Sequence, residues 1–145
     1  NLYIYGRYFG LSRKFIRAKI EELLDFAQLS EKRDVKVEAL SGGMKRRLTI
    51  ARALISEPEI LMLDEPTTAM ALSEQAEVIE FIKDLKEQGK SVIFISHNPW
   101  DAHAVADRFV ILDRGRLVFD GPKGNTNADQ FIQMLRDIAK KGSLS

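Results

Sequence analysis

Two adjacent carboxylates, Asp64 and Glu65, follow the apolar run ILML and stand directly before a proline. An apolar strand that ends in two acids lies where open α/β sheets bind their ligands. One acid of such a pair can hold a metal ion, while the other can orient or deprotonate a water molecule. Because Mg²⁺ in proteins is usually bound together with phosphates, the pair predicts a site for a phosphate and its metal ion.

A second candidate site lies in the stretch LSGG, residues 40–43, which precedes apolar residues at helical spacing. Ser41, Gly42 and Gly43 are therefore expected at a helix N-terminus, where unpaired amides and the helix dipole favour an anion. Glycines also let the backbone approach a phosphate closely. The same residues suit a simple serine-capped helix start, so the stretch alone does not establish a phosphate site.

The tripeptide Gly-Lys-Ser at residues 89–91 resembles the end of a P-loop, the glycine-rich loop that holds phosphates in many proteins. A P-loop also requires a glycine five residues earlier, where Asp84 stands. It follows a strand and opens a helix, whereas here a helix is predicted to end at Gly89 and a strand to begin at Ser91. We therefore interpret Gly89 as a helix C-cap and find no P-loop in the sequence.

The elements that must position these groups predict an α/β fold. Residues 60–63 and 91–96 form strands that are apolar on both faces, as in buried parallel sheets, and a helix lies between them. Asn127 and Gln130 form a capping box for the last helix. The predicted helices cover residues 12–29, 41 to the residue before Pro58, 73–88, 99–106 and 127–140; a hairpin covers 108–121 with its turn at 113–116, and 30–39 form a polar connector.

The composition is that of a globular domain of ordinary size. The chain has 145 residues, of which 45% are hydrophobic, and 22 basic residues balance 21 acidic ones. This near-neutral charge gives no support for a dedicated nucleic-acid-binding protein, which usually carries a basic excess. The lack of cysteine excludes disulfides and thiolate metal sites, and no apolar run approaches the roughly 20 residues that span a bilayer.

Four sequence stretches follow one another in a characteristic order along the chain: LSGGMKRR at 40–47, ILMLDEP at 60–66, TTAMALS at 67–73 and FISHN at 94–98. Together they closely resemble the C-terminal portion of the nucleotide-binding domain of ABC transporters, an ABC-type ATPase, and the resemblance covers nearly the whole chain. It implies part of a P-loop NTPase-like parallel sheet flanked by helices. Residues 1–57 would form a helical subdomain with the signature, and residues 58–145 the C-terminal part of the ATPase core, ending in a β-hairpin and a helix.

The resemblance also implies a role for the glycine-rich stretch. Leu40, Ser41, Gly42 and Gly43 match the family's signature, which binds the γ-phosphate of an ATP molecule held by the opposite subunit. These nucleotide-binding residues are therefore expected to serve a site in a second nucleotide-binding domain, within a head-to-tail dimer.

The acids and one histidine match the family's catalytic residues. Asp64 resembles the Walker B aspartate, which holds Mg²⁺, and Glu65 resembles the catalytic glutamate, which orients or deprotonates the attacking water. His97, 32 residues after Glu65, resembles the switch histidine that hydrogen-bonds the γ-phosphate. Because His97 follows the next parallel strand, we expect it beside the two acids at one sheet edge. His103 has no such match and is expected at the surface.

The sequence departs from the family's pattern in several places. Ala71 stands where the D-loop usually carries an aspartate, and Met44 replaces a common glutamine after LSGG. The family's Walker A, Q-loop and adenine-stacking aromatic lie upstream of residue 1. We therefore expect the chain alone to be inactive as an ATPase, marginally stable, and left with uncovered apolar sheet surface. The early aromatics are expected to pack rather than to stack on adenine: Tyr3, Tyr5 and Tyr8.

The function implied is that of an ATP-binding and ATP-hydrolysing motor subunit of an ABC transporter, of which this chain is a part. ATP and Mg²⁺ would be its cofactors, and a second nucleotide-binding domain and a transmembrane permease its partners, with no nucleic acid expected. The subunit would be cytoplasmic and peripheral at the inner face of the cell membrane.

Two alternative functions stay open. One is a non-catalytic truncated module that offers its signature face to a complete partner. The other is a DNA-maintenance ATPase of the same type, which the near-neutral charge and the absence of coiled-coil heptads disfavour. The transported solute and the direction of transport are not determined by the sequence.

Overall fold

The computed structural model describes residues 1–142, which divide into two compact units. The first unit covers residues 1–93, and the second covers the described chain from Phe94 onward. The order of helices and strands agrees with the predicted α/β class. The division at residue 58 follows the family's functional subdomains and stays a prediction.

In the first unit, the helices that follow Ser12 and Ser41 start where the sequence predicted. Ser12 Oγ accepts a hydrogen bond from the Phe15 amide at 3.2 Å, and Ser41 Oγ accepts one from the Met44 amide at 3.2 Å. Each bond satisfies an amide that the helix itself leaves unpaired. The elements are α1 (Leu2–Tyr8), α2 (Arg13–Phe26), the 3₁₀ turns Ser30–Lys32 and Val37–Ala39, and α3 (Gly42–Leu54). Their core includes the fully buried Ile16, Leu29, Ile50 and Ile55.

Helix α1 comes close to α2 at Gly6, where an added Cβ would lie only 2.7 Å from Cγ1 of Ile16. Tyr5 packs under the guanidinium of Arg52, whose Cζ lies 4.5 Å from the ring centroid. Tyr8 lies in the last turn of this short helix and is 87% exposed. The packing expected of Tyr8 is therefore not observed in the described chain.

The central strand–helix–strand segment contains β1 (Ile60–Asp64), α4 (Leu72–Glu87) and β2 (Ser91–Ile95). Strands β1 and β2 are hydrogen-bonded neighbours in a two-stranded sheet. Helix α4 buries Val78, Phe81, Ile82 and Leu85, and the Phe81 ring lies 4.7 Å from that of Phe26. Gln88 is the C-cap residue, and Gly89 directly after it has a φ of +79° and an amide that bonds the Lys86 carbonyl at 2.8 Å, so this glycine ends the helix as predicted.

Strands β1 and β2 are apolar on both faces, as predicted, but the described residues do not bury all of this apolar surface. Leu61 and Leu63 are buried, whereas Ile60 and Met62 are 60% and 63% exposed, and Ile93 in β2 is 45% exposed. Successive strand residues point to opposite faces, and only one face of β1 is covered by the described residues. Uncovered apolar surface was expected, and this face carries it.

The second unit contains α5 (Pro99–Val105), the antiparallel strands β3 (Arg108–Asp113) and β4 (Arg116–Pro122), and α6 (Ala128–Gly142). The hairpin turns through Arg114 and Gly115, which have positive φ values of 47° and 77°, as a tight hairpin turn requires. The predicted capping box is confirmed: the Asn127 amide bonds Gln130 Oε1 at 3.0 Å, and the Gln130 amide bonds Asn127 Oδ1 at 2.9 Å. None of the described helices combines the length and apolar character needed to cross a membrane.

His103 is half-buried rather than a surface residue. Its ring stacks near Phe109, with centroids 6.2 Å apart, and lies 6.0 Å from the ring of Phe131. Its Nε2 lies 2.7 Å from the Thr126 carbonyl oxygen. The aromatic partners come from β3 and α6, which the local sequence around His103 does not reveal, and they give this histidine a structural role.

Candidate functional site

The N-terminus of α3 presents the glycine-rich stretch as the sequence predicted. Ser41 is the N-cap residue and Gly42 and Gly43 form the first turn of the helix. Leu40 is buried and anchors the preceding turn, while Ser41 and Gly42 are exposed. The turn thus exposes backbone and a hydroxyl rather than large side chains, which suits the approach of an anion.

A carboxylate from α4 already occupies this helix N-terminus. The Gly43 amide donates to Glu74 Oε1 at 3.3 Å. The Gly43 amide is the main cause that lowers the pKa of the Glu74 carboxyl below its ordinary value, and the Ser41 hydroxyl contributes further. Glu74 was not among the predicted site residues, because an acid in the first turn of α4 suggests only an interaction with that helix's own dipole.

The two glycines make this contact sterically possible. An added Cβ on Gly42 would lie 3.0 Å from Glu74 Oε2, and one on Gly43 would lie 3.4 Å from Glu74 Cβ. The start of α3 therefore binds negative charge in this structure, and it does so at glycines that the Glu74 side chain approaches closely.

We expect Glu74→Gln to make the stability of the protein less dependent on pH in acid. A carboxyl with a lowered pKa stabilises the fold above the ordinary glutamate value of 4.5 and loses that contribution as the pH falls through the lowered pKa. The urea midpoint of the wild type should therefore fall more than that of Glu74→Gln between about pH 7 and about pH 3. Glu31→Gln, at an exposed glutamate outside the site, is the matched control and should behave like the wild type. Equal pH dependence in all three proteins would contradict the contact.

The acid pair lies at the C-terminal end of β1. Asp64 is the last residue of the strand and is exposed, and Glu65 follows in a turn with a φ of +45°. The Thr68 hydroxyl donates to Glu65 Oε2 at 2.9 Å, and Pro66 and Thr67 are buried beneath the turn. A glutamate in the left-handed region is strained, and such a conformation persists only where its surroundings hold it.

Arg46, on α3, contacts this turn through three hydrogen bonds to backbone carbonyls. Its Nε donates to the Pro66 oxygen at 2.8 Å, and its Nη2 donates to the oxygens of Glu65 at 2.7 Å and Asp64 at 3.1 Å. Arg46 was not among the predicted site residues. Its position one helical turn after Gly42 places it near the glycine-rich stretch, but its hydrogen-bond partners lie 18 to 20 residues away in the sequence, which no local pattern reveals.

The adjacent Arg47 makes contacts of a different kind. Its side chain is buried, its Nη1 pairs with Glu77 Oε2 at 2.5 Å, and its Nε donates to the Ala27 carbonyl at 3.0 Å. These contacts connect α3 with α2 and α4 but do not reach the acid pair. Arg47 therefore acts as a structural cross-link.

Two further predicted positions, His97 and Ala71, lie just before helices α5 and α4. His97 is exposed in the loop between β2 and α5, followed by Asn98, whose Oδ1 accepts from the Trp100 amide at 3.0 Å and caps α5. His97 belongs to the second unit, so its expected position beside Asp64 and Glu65 stays a prediction. Ala71 is the N-cap residue of α4 and provides no side-chain cap, which an aspartate there would supply.

A family model and curated relatives both match this chain to proteins of ABC transporters or export systems. The family model described as ABC transporter matches residues 12–68, which include the start of α3 and the acid pair. Nod factor export ATP-binding protein I of Neorhizobium galegae is 44% identical over 122 residues, 84% of this chain and 35% of the relative. The protein of the same name from Burkholderia lata is 42% identical over 121 residues, 83% of this chain and 40% of the relative. The chain thus spans well under half the length of these relatives.

Solved structures give the same result for the fold. An ABC transporter described as of the metal-chelate type, in an inward-facing conformation, matches with a TM-score of 0.78 and 25% identity, over 93% of this chain and 56% of that chain. An ATP-binding cassette of an ABC transporter in its ADP conformation matches with a TM-score of 0.74 and 24% identity, over 87% of this chain and 48% of that one. These matches confirm the predicted partial P-loop NTPase-like α/β fold.

Proposed function

Because the chain belongs, over the stretch that it shares with these proteins, to the family of ABC transporter ATP-binding proteins, we propose that it is part of a motor subunit. The subunit would couple ATP hydrolysis at a head-to-tail dimer interface to the transport of a solute. The observation that carries this proposal is the acid pair at the end of β1, in one compact unit with a helix N-terminus that binds a carboxylate.

Glu65 acts on the attacking water in this proposal. Its carboxylate lies directly after the strand, and the Thr68 hydroxyl fixes the orientation of Oε2 at 2.9 Å. A carboxylate held in this way can orient a water molecule and accept its proton as the bond to phosphorus forms. The exposed end of the strand leaves space for both the water and the phosphate.

Asp64 would contribute to a Mg²⁺ site that is completed by the nucleotide. Among residues 1–142 no group of three or more histidine or acidic side chains is arranged to hold a metal ion. Mg²⁺ fits this donor set, since it is usually held by one or two carboxylates together with waters and phosphates. When bound, the ion would neutralise charge on the β- and γ-phosphates.

Residues 40–43 would serve a nucleotide bound by a second subunit. The Gly43 amide binds the Glu74 carboxylate here, and the Ser41 hydroxyl and the Gly42 amide help to lower the pKa of that carboxyl, which supports the preference of this helix start for an anion. A γ-phosphate presented by a partner would compete with Glu74 for the same donors. His97, exposed after β2, would contact the γ-phosphate held by its own subunit.

The proposed partners are a second nucleotide-binding domain and a transmembrane permease, with the subunit peripheral at the inner face of the cell membrane. The relatives matched at 42–44% identity are named for export, which favours export as the direction of transport. The solute named for those relatives, Nod factor, is a candidate class of cargo for the transporter to which this chain contributes.

The purified chain alone is expected to release phosphate from ATP at a negligible rate. Phosphoryl transfer depends on groups that grip the β- and γ-phosphates, and the sequence contains no P-loop to supply them. Phosphate release should be measured for the chain alone and after addition of a P-loop-bearing partner. Robust turnover by the chain alone that Glu65→Gln abolishes would contradict this expectation.

The same experiment distinguishes the main alternative, a non-catalytic module that only completes a partner's site. That alternative predicts that the chain stimulates hydrolysis by a complete partner, and that Glu65→Gln in the chain leaves the stimulation intact. The motor-subunit proposal predicts that Glu65→Gln removes turnover at the site to which this chain contributes its own acids.

A further inference from the structure

We propose that Arg46 is a positioning residue for Glu65. Arg46 connects α3, the helix that starts at the signature residues 40–43, to the turn that carries the catalytic acid. This inference rests on the proposed role of Glu65. It adds a residue that touches neither nucleotide nor water and that acts by holding the backbone of the turn.

The hydrogen bonds that Arg46 makes within the described part of the chain are directed at this turn. Its guanidinium donates to three successive carbonyl oxygens, those of Asp64, Glu65 and Pro66, at 3.1, 2.7 and 2.8 Å. Backbone carbonyls in a sharp turn after a strand lose the partners that a sheet ladder would provide. The planar guanidinium has five donors in a fixed fork, so it can satisfy several such oxygens in one geometry.

The turn needs such support because its backbone is strained. Glu65 has a φ of +45°, and Ala69, four residues on, has a φ of +61°. Conformations of this kind cost energy and persist only when surrounding contacts determine them. Three of those contacts are identified: the Thr68 hydroxyl bonds the Glu65 carboxylate, and the Thr68 amide (3.3 Å) and the Arg46 guanidinium (2.7 Å) both donate to the Glu65 carbonyl. The first orients the side chain, and the other two hold the main chain from which it projects, with the shorter bond coming from Arg46.

The position of Arg46 on α3 gives this support a functional consequence. Arg46 follows Gly42 by one helical turn, so a shift of α3 when its N-terminus engages an anion would move the guanidinium and the turn with it. The helix start that serves one nucleotide site is thus physically linked to the acid that serves the other.

The neighbouring Arg47, in contrast, has a purely structural role in this unit. It is buried and bonded to α2 and α4, whereas Arg46 is half-buried and bonded to the acid-bearing turn. The two neighbouring arginines therefore predict different consequences of mutation, and the loss of Arg46 should alter turnover rather than nucleotide binding.

The test compares Arg46→Ala and Arg46→Lys with the wild type in a complete subunit that contains this chain. Small displacements of a catalytic group cost up to about 10²-fold in rate, so we expect Arg46→Ala to lower kcat by about 10- to 100-fold with KM for ATP changed by less than about 3-fold. The kcat of Arg46→Lys should lie between those of the wild type and Arg46→Ala, because a lysine ammonium cannot reproduce the forked donors of the guanidinium. Arg7→Ala is the matched control, since it also removes a guanidinium–carbonyl bond (2.9 Å, to Leu11) but lies on α1; its kcat should not change.

Two further readouts separate positioning from a general loss of structure. Amide hydrogen exchange of residues 65–69 should be faster in Arg46→Ala, while exchange in α2 and α4 stays as in the wild type. In single-turnover assays, adding Arg46→Ala to Glu65→Gln should cause no further loss, because the positioned group is already gone.

Each contrary outcome overturns the inference. Full additivity of the two substitutions would show that Arg46 does not act through Glu65, and unchanged kcat in Arg46→Ala would show that the turn functions without Arg46. If Arg46→Ala does not fold, a kcat in Arg46→Lys equal to that of the wild type would have the same meaning. If Glu65→Gln keeps full turnover, both the proposed role of Glu65 and this inference fail. If Glu65→Gln is inactive but Arg46→Ala keeps full turnover, the role of Glu65 stands and only this inference fails.

Discussion

Glu65→Gln is expected to slow ATP hydrolysis by about 10²–10⁴-fold in a complete subunit that contains this chain, while ATP still binds. Glutamine keeps the size of the side chain and its hydrogen bond with Thr68, but it cannot accept a proton from the attacking water. Binding should survive, because the nucleotide is held mainly by loop amides and Mg²⁺. Phosphate release and nucleotide affinity, measured on the same preparations, test both halves of this prediction.

Glu59→Gln provides the matched control for this substitution. Glu59 is an exposed glutamate directly before β1, whereas Glu65 lies directly after it. Only the carboxyl end of a strand in such a sheet lies at the ligand, so Glu59→Gln should leave turnover unchanged. Weakened binding with unchanged turnover in Glu65→Gln would show that Glu65 has a binding role instead.

Gly42→Asp is expected to lower nucleotide trapping at the partner subunit's site by about 10-fold or more, with a smaller effect at the site of its own subunit. The added carboxylate would place negative charge at the positive end of α3 and would fill space that lies within 3.0 Å of Glu74 Oε2. A heterodimer in which one subunit is marked allows trapping at each site to be measured separately.

Gly10→Asp is the control for that experiment, because Gly10 is exposed, has a φ of +74° and has nothing within 4 Å of an added Cβ. Aspartate tolerates this backbone conformation better than most residues, so trapping should stay normal at both sites. Equal loss at both sites in Gly42→Asp, or loss only at its own subunit's site, would contradict the assignment of residues 40–43 to the partner.

The features that the sequence predicted well are those with local causes. The predicted caps at Ser41 and Asn127 depend on bonds between residues three positions apart, so a short stretch contains all the information. Gly89 could be recognised as the residue that ends a helix, because this assignment depends only on its place between a predicted helix and a predicted strand. The position of the acid pair followed from a strand that ends in two carboxylates.

The features that the sequence did not predict depend on tertiary contacts. Glu74 reaches Gly43 across 31 residues, and Arg46 reaches the acid-bearing turn across 18 to 20. No periodicity or motif relates such pairs, because their approach is determined by how α3 packs against α4 and β1. The half-buried state of His103 was missed for the same reason, since its ring partners lie on β3 and α6. Uncovered apolar strand surface was expected, but the sequence could not show that it includes Ile60 and Met62 in β1, because both faces of that strand are apolar.

The most direct test of the central claim, that residues 40–43 complete a nucleotide site in a second subunit, is the oligomeric state of a complete subunit in which Glu65→Gln prevents turnover. Light scattering should show monomers without nucleotide and dimers with ATP, because the nucleotide would then join the P-loop of one subunit to the signature of the other. Adding Gly42→Asp should abolish the dimer, and adding Gly10→Asp should not. Dimers that form equally without ATP, or that persist with Gly42→Asp, would contradict the account.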